Sequence, residues 1–298
     1  MISSGEESSD WAMIKRVGVI YHPKIEAAGK AGEELCRFLD SQGIDHWACS
    51  AWDDEAIEAE APSTDLAVSV GGDGTILRAV RAISPWQIPI LGVNLGHLGF
   101  MTELTAKDIM ERLPTVLGGD GWVDERAMLE VAVSTSEKHR AAELSGPSFA
   151  LNDVVLGHGP RWRVIYIRAT INGAGLTTYK ADGVIVATAT GSTGYALAAG
   201  GPILYPQAQE IILKPISAHL TMPYALVLPA TATVELEVHT DHEAMLSIDG
   251  QVESSLRDGD RVTVRRSSRV ARFLRIHPPE SFYSRLESRL RAKGSEDS

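Results

Sequence analysis

Cysteine is nearly missing: the 298 residues contain two, Cys36 and Cys49. Their spacing matches neither a zinc knuckle nor a redox pair, which argues against a disulfide framework and makes a reducing cytoplasm the simplest setting. Basic charge is also scarce, since 28 Lys and Arg stand against 39 Asp and Glu and leave a formal net charge of -11 at pH 7. That balance argues against a general nucleic-acid or membrane surface, because either needs a basic footprint. No apolar run approaches a membrane span, and the interrupted opening MISSGEESSDWAMIKR lacks the apolar block of a secretory signal. Residues 1–13 read as a short disordered leader. Aromatic residues reach only 6%, and the six tryptophans form no stacking stripe for single-stranded nucleic acid. Internal repeats are absent too.

What is present is the composition of an ordinary soluble protein, 44% hydrophobic and 22% charged, in a chain long enough for two domains. Over residues 14–125 short apolar runs (RVGVIYH, IDHWACS, DLAVSV, QIPILGVN) alternate with helical stretches. Uninterrupted apolar strands such as Leu66 to Val70 suit a parallel sheet covered on both faces, so this part is expected to be a doubly wound α/β domain. Over residues 126–270 the rhythm changes to short strand-like runs, among them FALNDVVLG, RVIYIRATING, GVIVATAT and TATVELEVHT. Asp249-Gly250 and Asp258-Gly259 mark tight turns between such runs. A mostly β domain is expected there. Residues 271–298 read as a helical tail with Phe282, Leu286 and Leu290 on one face, packing back on the first domain.

The stretch SVGGDGTILRAVR, Ser69 to Arg81, runs from a strand through a glycine turn into a helix whose apolar face is Ile76, Leu77, Val80 and Ile83. Unpaired amides at a helix start attract anions, and Gly71, Gly72 and Gly74 let a ligand approach the backbone closely. This is a phosphate cradle, but it is neither a Walker A loop nor the G-x-G-x-x-G dinucleotide fingerprint. A carboxylate, Asp73, sits inside it. Either Asp73 is a helix cap, a role Thr75 is also able to fill, or it handles a proton or a metal ion beside bound phosphates. A second glycine turn, GVNLGHLGF (Gly92 to Phe100), follows the next strand at the edge where open α/β sheets bind ligands.

With these motifs the chain resembles the NAD kinases from about Arg16 to Pro278. The resemblance rests on GGDGT (Gly71 to Thr75), GVNLGHLGF, ERAMLEV, LNDVVL (Leu151 to Leu156), DGVIVATATGSTGYALAAGGPI (Asp182 to Ile203) and SIDGQ (Ser247 to Gln251). GGDGT alone is shared with lipid kinases and echoed in phosphofructokinases; the ordered set is highly specific.

The resemblance implies transfer of the γ-phosphoryl of ATP, or of inorganic polyphosphate in some members, to the 2'-hydroxyl on the adenosine ribose of NAD. A ribose hydroxyl is a poor nucleophile at neutral pH, so a carboxylate in hydrogen-bond reach serves as base or orienter, the role implied for Asp73. A divalent cation, expected as Mg²⁺ with the nucleotide, masks the repulsion between Asp73 and phosphate. Nucleotide contacts are implied for Gly71, Gly72, Asp73, Gly74, Thr75, Arg78 and Asn94, with Asp73 and Gly74 also contacting NAD and Arg78 close by. NAD contacts are implied for Asn152 and Asp153, whose neighbouring amide and carboxylate can meet both donors and acceptors of a ribose or an adenine edge. They are also implied for Arg163, Lys180 and Asp182, for Thr190 and Thr193, for the turn and helix start Gly194, Tyr195, Ala196, Leu197 and Ala198, and for Gln251. The chain departs from the common family pattern at Asp153 (usually Glu), Lys180 (often Arg), Ala189 (often Pro) and Gly194 (often Ala). A homodimer or homotetramer in the cytoplasm is implied as well, without nucleic-acid or membrane partners.

Other features carry less. HTDHE (His239 to Glu243) offers His-x-x-His without further ligands. The charged tail SRLESRLRAKG reads as a solvated helix face. Two rival functions remain: a lipid or sugar kinase sharing only the glycine-acid loop, and a silent dinucleotide sensor.

Overall fold

The computed structural model describes residues 14–96, 99–135, 146–160, 163–219 and 222–296, with side chains as far as residue 290. The leader expected over residues 1–13 lies outside the described residues. The chain divides into two compact units, the first comprising residues up to Glu125 together with Arg272 onward, the second Arg126–Ala271.

The first unit opens with β1 (Arg16–Tyr21), α1 (Glu26–Ser41), β2 (Asp45–Ser50), α2 (Asp54–Glu60), β3 (Leu66–Val70), α3 (Asp73–Ile83), β4 (Ile90–Asn94), β5 (Leu104–Thr105) and α4 (Ile109–Leu117). The strands lie parallel in the order β4-β3-β1-β2. The path from β1 to β2 runs one way and the path from β2 to β3 returns past β1, so right-handed crossovers put the intervening helices on opposite faces. On one face Leu35 and Leu39 of α1 and Leu113 and Val116 of α4 pack into the core of Val19, Val68 and Val93. All five residues of β3 are buried, as a strand covered on both faces requires. The reversal of direction between β1 and β3 makes the carboxyl end of β3 a topological switch point, and the glycine loop leaves from there.

The second unit is built on β6 (Trp122–Ser134), β7 (Ser148–Ala150), β8 (Asp153–His158), β9 (Ile165–Ile171), β10 (Ala174–Ala181), β11 (Gly183–Ala187), the single-turn α5 (Tyr195–Ala198), β12 (Ile211–Ile216), β13 (Leu226–Leu228), β14 (Thr233–His239), β15 (Ala244–Ile248), β16 (Val252–Leu256) and β17 (Arg261–Arg275). One antiparallel sheet has the order β13-β12-β11-β8-β15-β16; in the other, β10-β9-β14-β17 are neighbours. Their inner faces share one core, to which β14 sends every second residue, Val234, Leu236 and Val238. Asp249 (φ 53°) and Gly250 (φ 64°) both take positive φ, and the Gln251 N–H donates to the Ile248 carbonyl at 3.0 Å. This is the type I′ hairpin turn that an Asp-Gly pair favours.

The tail joins the first unit. Phe273, near the end of β17, lies beside Ile90 of β4, and α6 (Ser281–Glu296) follows with Phe282 buried. Among the described residues no helix is long and apolar enough to cross a membrane.

Candidate active site

The helix after the glycine loop begins three residues earlier than a cap at Thr75 would place it. Gly72 is the N-cap, Asp73 opens α3, and Thr75 is buried within the first turn. The N-cap position belongs to Gly72 and both Asp73 and Thr75 lie inside the helix, so the N-cap reading is set aside for each of them. The Asp73 carboxylate reaches across to the second glycine turn instead. Its Oδ2 accepts the Phe100 N–H at 3.0 Å and its Oδ1 the Met101 N–H at 3.1 Å. A Cβ on Gly99 would lie 2.3 Å from Oδ1, so only glycine allows that approach. Each carboxylate oxygen keeps a lone pair for another donor. A Cβ built on Gly72 or Gly74 would meet nothing within 4 Å. Asn94, at the end of β4, accepts the Gly96 N–H at 3.0 Å and shapes the start of the second turn. Arg78, one turn along α3, holds its guanidinium carbon 4.5 Å from the centroid of the Trp52 ring.

Behind this turn lies a buried ionic cluster that the sequence reading missed. The Arg275 side chain, 6% exposed, donates from Nη1 to the Met101 carbonyl at 2.9 Å and to Glu103 Oε2 at 3.2 Å. Its Nε donates to Asp124 Oδ2 at 3.2 Å. Glu103 Oε1 accepts the Ile276 N–H at 3.0 Å and the His277 N–H at 2.8 Å, and lies 2.6 Å from His277 Nδ1. The same residue, Met101, therefore gives its N–H to Asp73 and receives Arg275 on its carbonyl. Burial alone would raise the Glu103 carboxyl, but the Arg275 guanidinium and the His277 and Ile276 donors outweigh it and hold the group below its ordinary value of 4.5. A carboxyl depressed in the folded state stabilises the fold above its unfolded value and loses that contribution as pH falls through the folded one. Thermal unfolding scans are thus expected to show Glu103→Gln less stable than the parent at neutral pH, with the gap narrowing as pH drops below about 4.5.

The tail helix carries the solvated face expected of it at Tyr283, Ser284, Glu287 and Ser288, while Arg285 and Arg289 are half-buried. Arg289 lies 5.9 Å from the centroid of the Phe100 ring. Burial, with Arg275 and Arg285 adding to it, pushes its ionisation down to about 10.

In the second unit FALNDVVLG is not one strand. The Asp249 carboxylate of the hairpin turn accepts three consecutive amides, Leu151 at 2.8 Å, Asn152 at 2.7 Å and Asp153 at 3.1 Å. That interrupts the ladder between β7 and β8, so Asn152, expected on a strand, stands on a bend and Asp153 begins β8. The Asn152 carbonyl accepts the Thr188 N–H at 2.9 Å. A Cβ on Gly191 would lie 2.1 Å from that carbonyl oxygen, so only glycine fits. Thr190 and Thr193 are buried in the short helical turn, and Gly194 caps α5 with Asp153 Oδ2 3.8 Å and Asn152 Nδ2 3.9 Å from where its Cβ would be. Ala196 is buried, Leu197 half-buried, and Tyr195 and Ala198 exposed. Gln251 follows the Asp249-Gly250 turn at the same corner. Asn152 Oδ1 is buried and, among the described residues, has no hydrogen-bond partner. Burying an unpaired acceptor costs about 1–3 kcal/mol, which a ligand donor removes.

Arg163, Lys180 and Asp182 form a different group. They flank the pairing of Ala181 with Ile165, and Asp182 precedes β11. Asp153 pairs instead with Ala187 at the far end of β11, roughly 16 Å away at the usual rise of a strand. Within one chain they do not join the Asn152 group. Lys180 lies 6.0 Å from the Tyr166 ring centroid, and His242 Nε2 is 3.4 Å from the Arg163 carbonyl. Of the His-x-x-His pair, His239 faces Glu237 at 3.3 Å and His242 faces Asp241 at 2.6 Å. Among the described residues no group of three or more His, Cys, Asp or Glu could hold a metal ion.

Known proteins match this architecture along nearly its whole length. The family model for the ATP-NAD kinase N-terminal domain matches residues 10–121, and that for the ATP-NAD kinase C-terminal domain matches residues 151–276. The chain is 47% identical to an NAD kinase of Dehalococcoides mccartyi, over 96% of this chain and 99% of that one. It is 41% identical to an NAD kinase of Chloroflexus aggregans, over 94% and 99%. Among solved structures, an NAD kinase from Archaeoglobus fulgidus in complex with ATP superposes with a TM-score of 0.72 at 26% identity, covering 93% of this chain and 98% of that one. Yeast NADH kinase complexed with NADH superposes with a TM-score of 0.81 at 24% identity, covering 92% and 86%, a likeness of fold. The chain belongs to the ATP-NAD kinase family.

Proposed function

We propose that this chain transfers the γ-phosphoryl group of ATP to the 2'-hydroxyl on the adenosine ribose of NAD, giving NADP and ADP. The observation that carries the reading is the Asp73 carboxylate, fixed by the Phe100 and Met101 amides at the mouth of the phosphate loop. Its remaining lone pairs can accept the hydrogen of the attacking hydroxyl. The 2'-oxygen then forms its bond to the γ-phosphorus as the bond to the ADP oxygen breaks, and the hydroxyl proton passes by way of Asp73. Gly71, Gly72, Gly74 and Thr75 form the loop that cradles phosphate, with Arg78 beside it. Asn152 and Asp153 hold the adenosine portion of NAD, for which the buried, unpartnered Asn152 Oδ1 is a ready acceptor. Thr190, Thr193 to Ala198 and Gln251 complete the dinucleotide contacts. The donor enters as its magnesium complex, with the cation riding on the phosphates as part of the substrate and easing their repulsion from Asp73.

We further infer a cytoplasmic setting, supported by two free thiols, and, on the family resemblance alone, a homodimer or homotetramer. The test is a screen of acceptors and donors with purified protein. NAD with magnesium-ATP is expected to give NADP, while lipid and sugar acceptors stay unphosphorylated. Absence of NADP with every nucleotide or polyphosphate donor would overturn the proposal.

A further inference from the structure

Beside the phosphate loop, at the same sheet edge, the first unit carries an aromatic cluster that the transfer chemistry leaves unused. Trp52 follows β2 and is 41% exposed, although an indole is usually better covered. His22 follows β1, with its ring centroid 4.7 Å from that of Trp52 and the planes at 68°. Arg78 reaches over from α3 to 4.5 Å from the indole centroid. Among the described residues Arg78 has no carboxylate partner, whereas Arg81 on the next turn pairs with Asp54 at 2.5 Å. The cation therefore lies against the indole ring.

The platform is held in place by its backbone. The Trp52 N–H donates to Ser50 Oγ at 3.0 Å and the Ala51 N–H to the Tyr21 carbonyl at 2.9 Å. The His22 N–H donates to the Val70 carbonyl at 3.0 Å, tying the end of β1 to the start of the glycine loop. Asp53, next to Trp52, caps α2 through the Ala56 N–H at 3.1 Å. An exposed aromatic face braced by an arginine and a histidine on rigid backbone is what stacks a nucleobase, since every base offers a π-face.

The spacing says which base. In the order β3-β1-β2 the end of β2 stands two strands from the glycine loop, about 9.6 Å at the usual strand separation. The ribose and phosphate chain of a nucleotide bridges such a span. With the terminal phosphate at Gly72 and Asp73, the base at the other end of the chain lies over Trp52. We infer that Trp52, braced by His22 and Arg78, is the stacking platform for the nucleobase of the phosphoryl donor. The donor class is then a nucleoside triphosphate rather than an inorganic polyphosphate. This rests on the reading of the glycine loop given under Proposed function. Stacking does not distinguish one purine from another, so ATP and GTP share the site, while inorganic tripolyphosphate gains nothing from it.

Titration calorimetry with magnesium-ATP, magnesium tripolyphosphate and NAD tests this on the full chain. Trp52→Ala is expected to weaken ATP binding about tenfold or more, the usual effect of losing one base stack, and to leave tripolyphosphate and NAD binding unchanged. Trp52→Leu, which keeps bulk without a π-face, is expected to behave the same way, and Trp52→Phe to retain most of the affinity. Unchanged ATP binding in both Trp52→Ala and Trp52→Leu, equal losses for ATP and tripolyphosphate, or a loss confined to NAD overturns the inference. The two readings fail separately. NADP formation with ATP affinity indifferent to Trp52 sinks the platform alone, whereas Trp52-dependent ATP binding without NADP formation sinks the transfer reaction alone.

Discussion

Asp73→Asn is expected to keep the fold and lose at least about 100-fold in the turnover of NAD to NADP, the scale at which general acid-base groups contribute. The geometry says why the fold survives. Asparagine retains one oxygen for either the Phe100 or the Met101 amide, which now share a carboxylate, and turns an NH₂ towards the other. The mismatch costs about 1–3 kcal/mol locally, within what a cooperative domain tolerates. The loss should fall on kcat, with the KM values for NAD and ATP little altered, because the substituted atom meets the hydroxyl only as it attacks. A thermal melt beside the kinetics separates the two effects. Full activity in a folded Asp73→Asn protein would remove Asp73 from the chemistry.

Arg275→Ala is expected to have the largest effect on stability. It leaves Glu103 and Asp124 as charges in a cluster whose side chains are only 3–6% exposed, and stripping one partner from a buried ion pair costs about 3–5 kcal/mol. A fall in Tm on the order of 10 °C follows for a protein of this size. Activity of the protein that remains folded should drop too, since Met101 loses the guanidinium on its carbonyl and holds Asp73 through its amide. Arg275 is in that sense a positioning residue. Arg275→Lys keeps the charge but cannot serve Asp124, Glu103 and Met101 with one planar fork. It should recover part of the stability and less of kcat. Circular dichroism melts with kcat and KM measured on the same preparations check this; a loss in KM alone, with kcat intact, contradicts the positioning role.

How much of this was legible beforehand follows from the range of each interaction. The βα alternation of the first unit and the period-two pattern of Val234, Leu236 and Val238 are local signals, and the structure has the elements they announce. The two-domain α/β and β architecture is that of the family. The ordered glycine motifs identified the family because their spacing is also written locally. What sequence reading missed is long-range. Arg275 meets Glu103 across 172 positions and Asp124 across 151, and no periodicity signals such a partnership. Asp249 was legible as a turn residue, but not as the acceptor of three amides nearly a hundred positions earlier. For the same reason FALNDVVLG reads as one strand while the chain breaks it at Leu151 and Asn152. Of the two readings open for Asp73, the cap is the one local sequence offers; its actual partners are 27 and 28 residues away. The place of Arg289 beside the Phe100 ring was not legible, because Phe100 is distant in sequence.

The most direct measurement of the assigned chemistry is phosphorus NMR of the product formed from NAD and magnesium-ATP by the purified chain. The expected spectrum contains one new phosphomonoester, on the 2'-oxygen of the adenosine ribose, in step with ADP. A phosphate on any other oxygen, or ADP released without a phosphorylated dinucleotide, would contradict it.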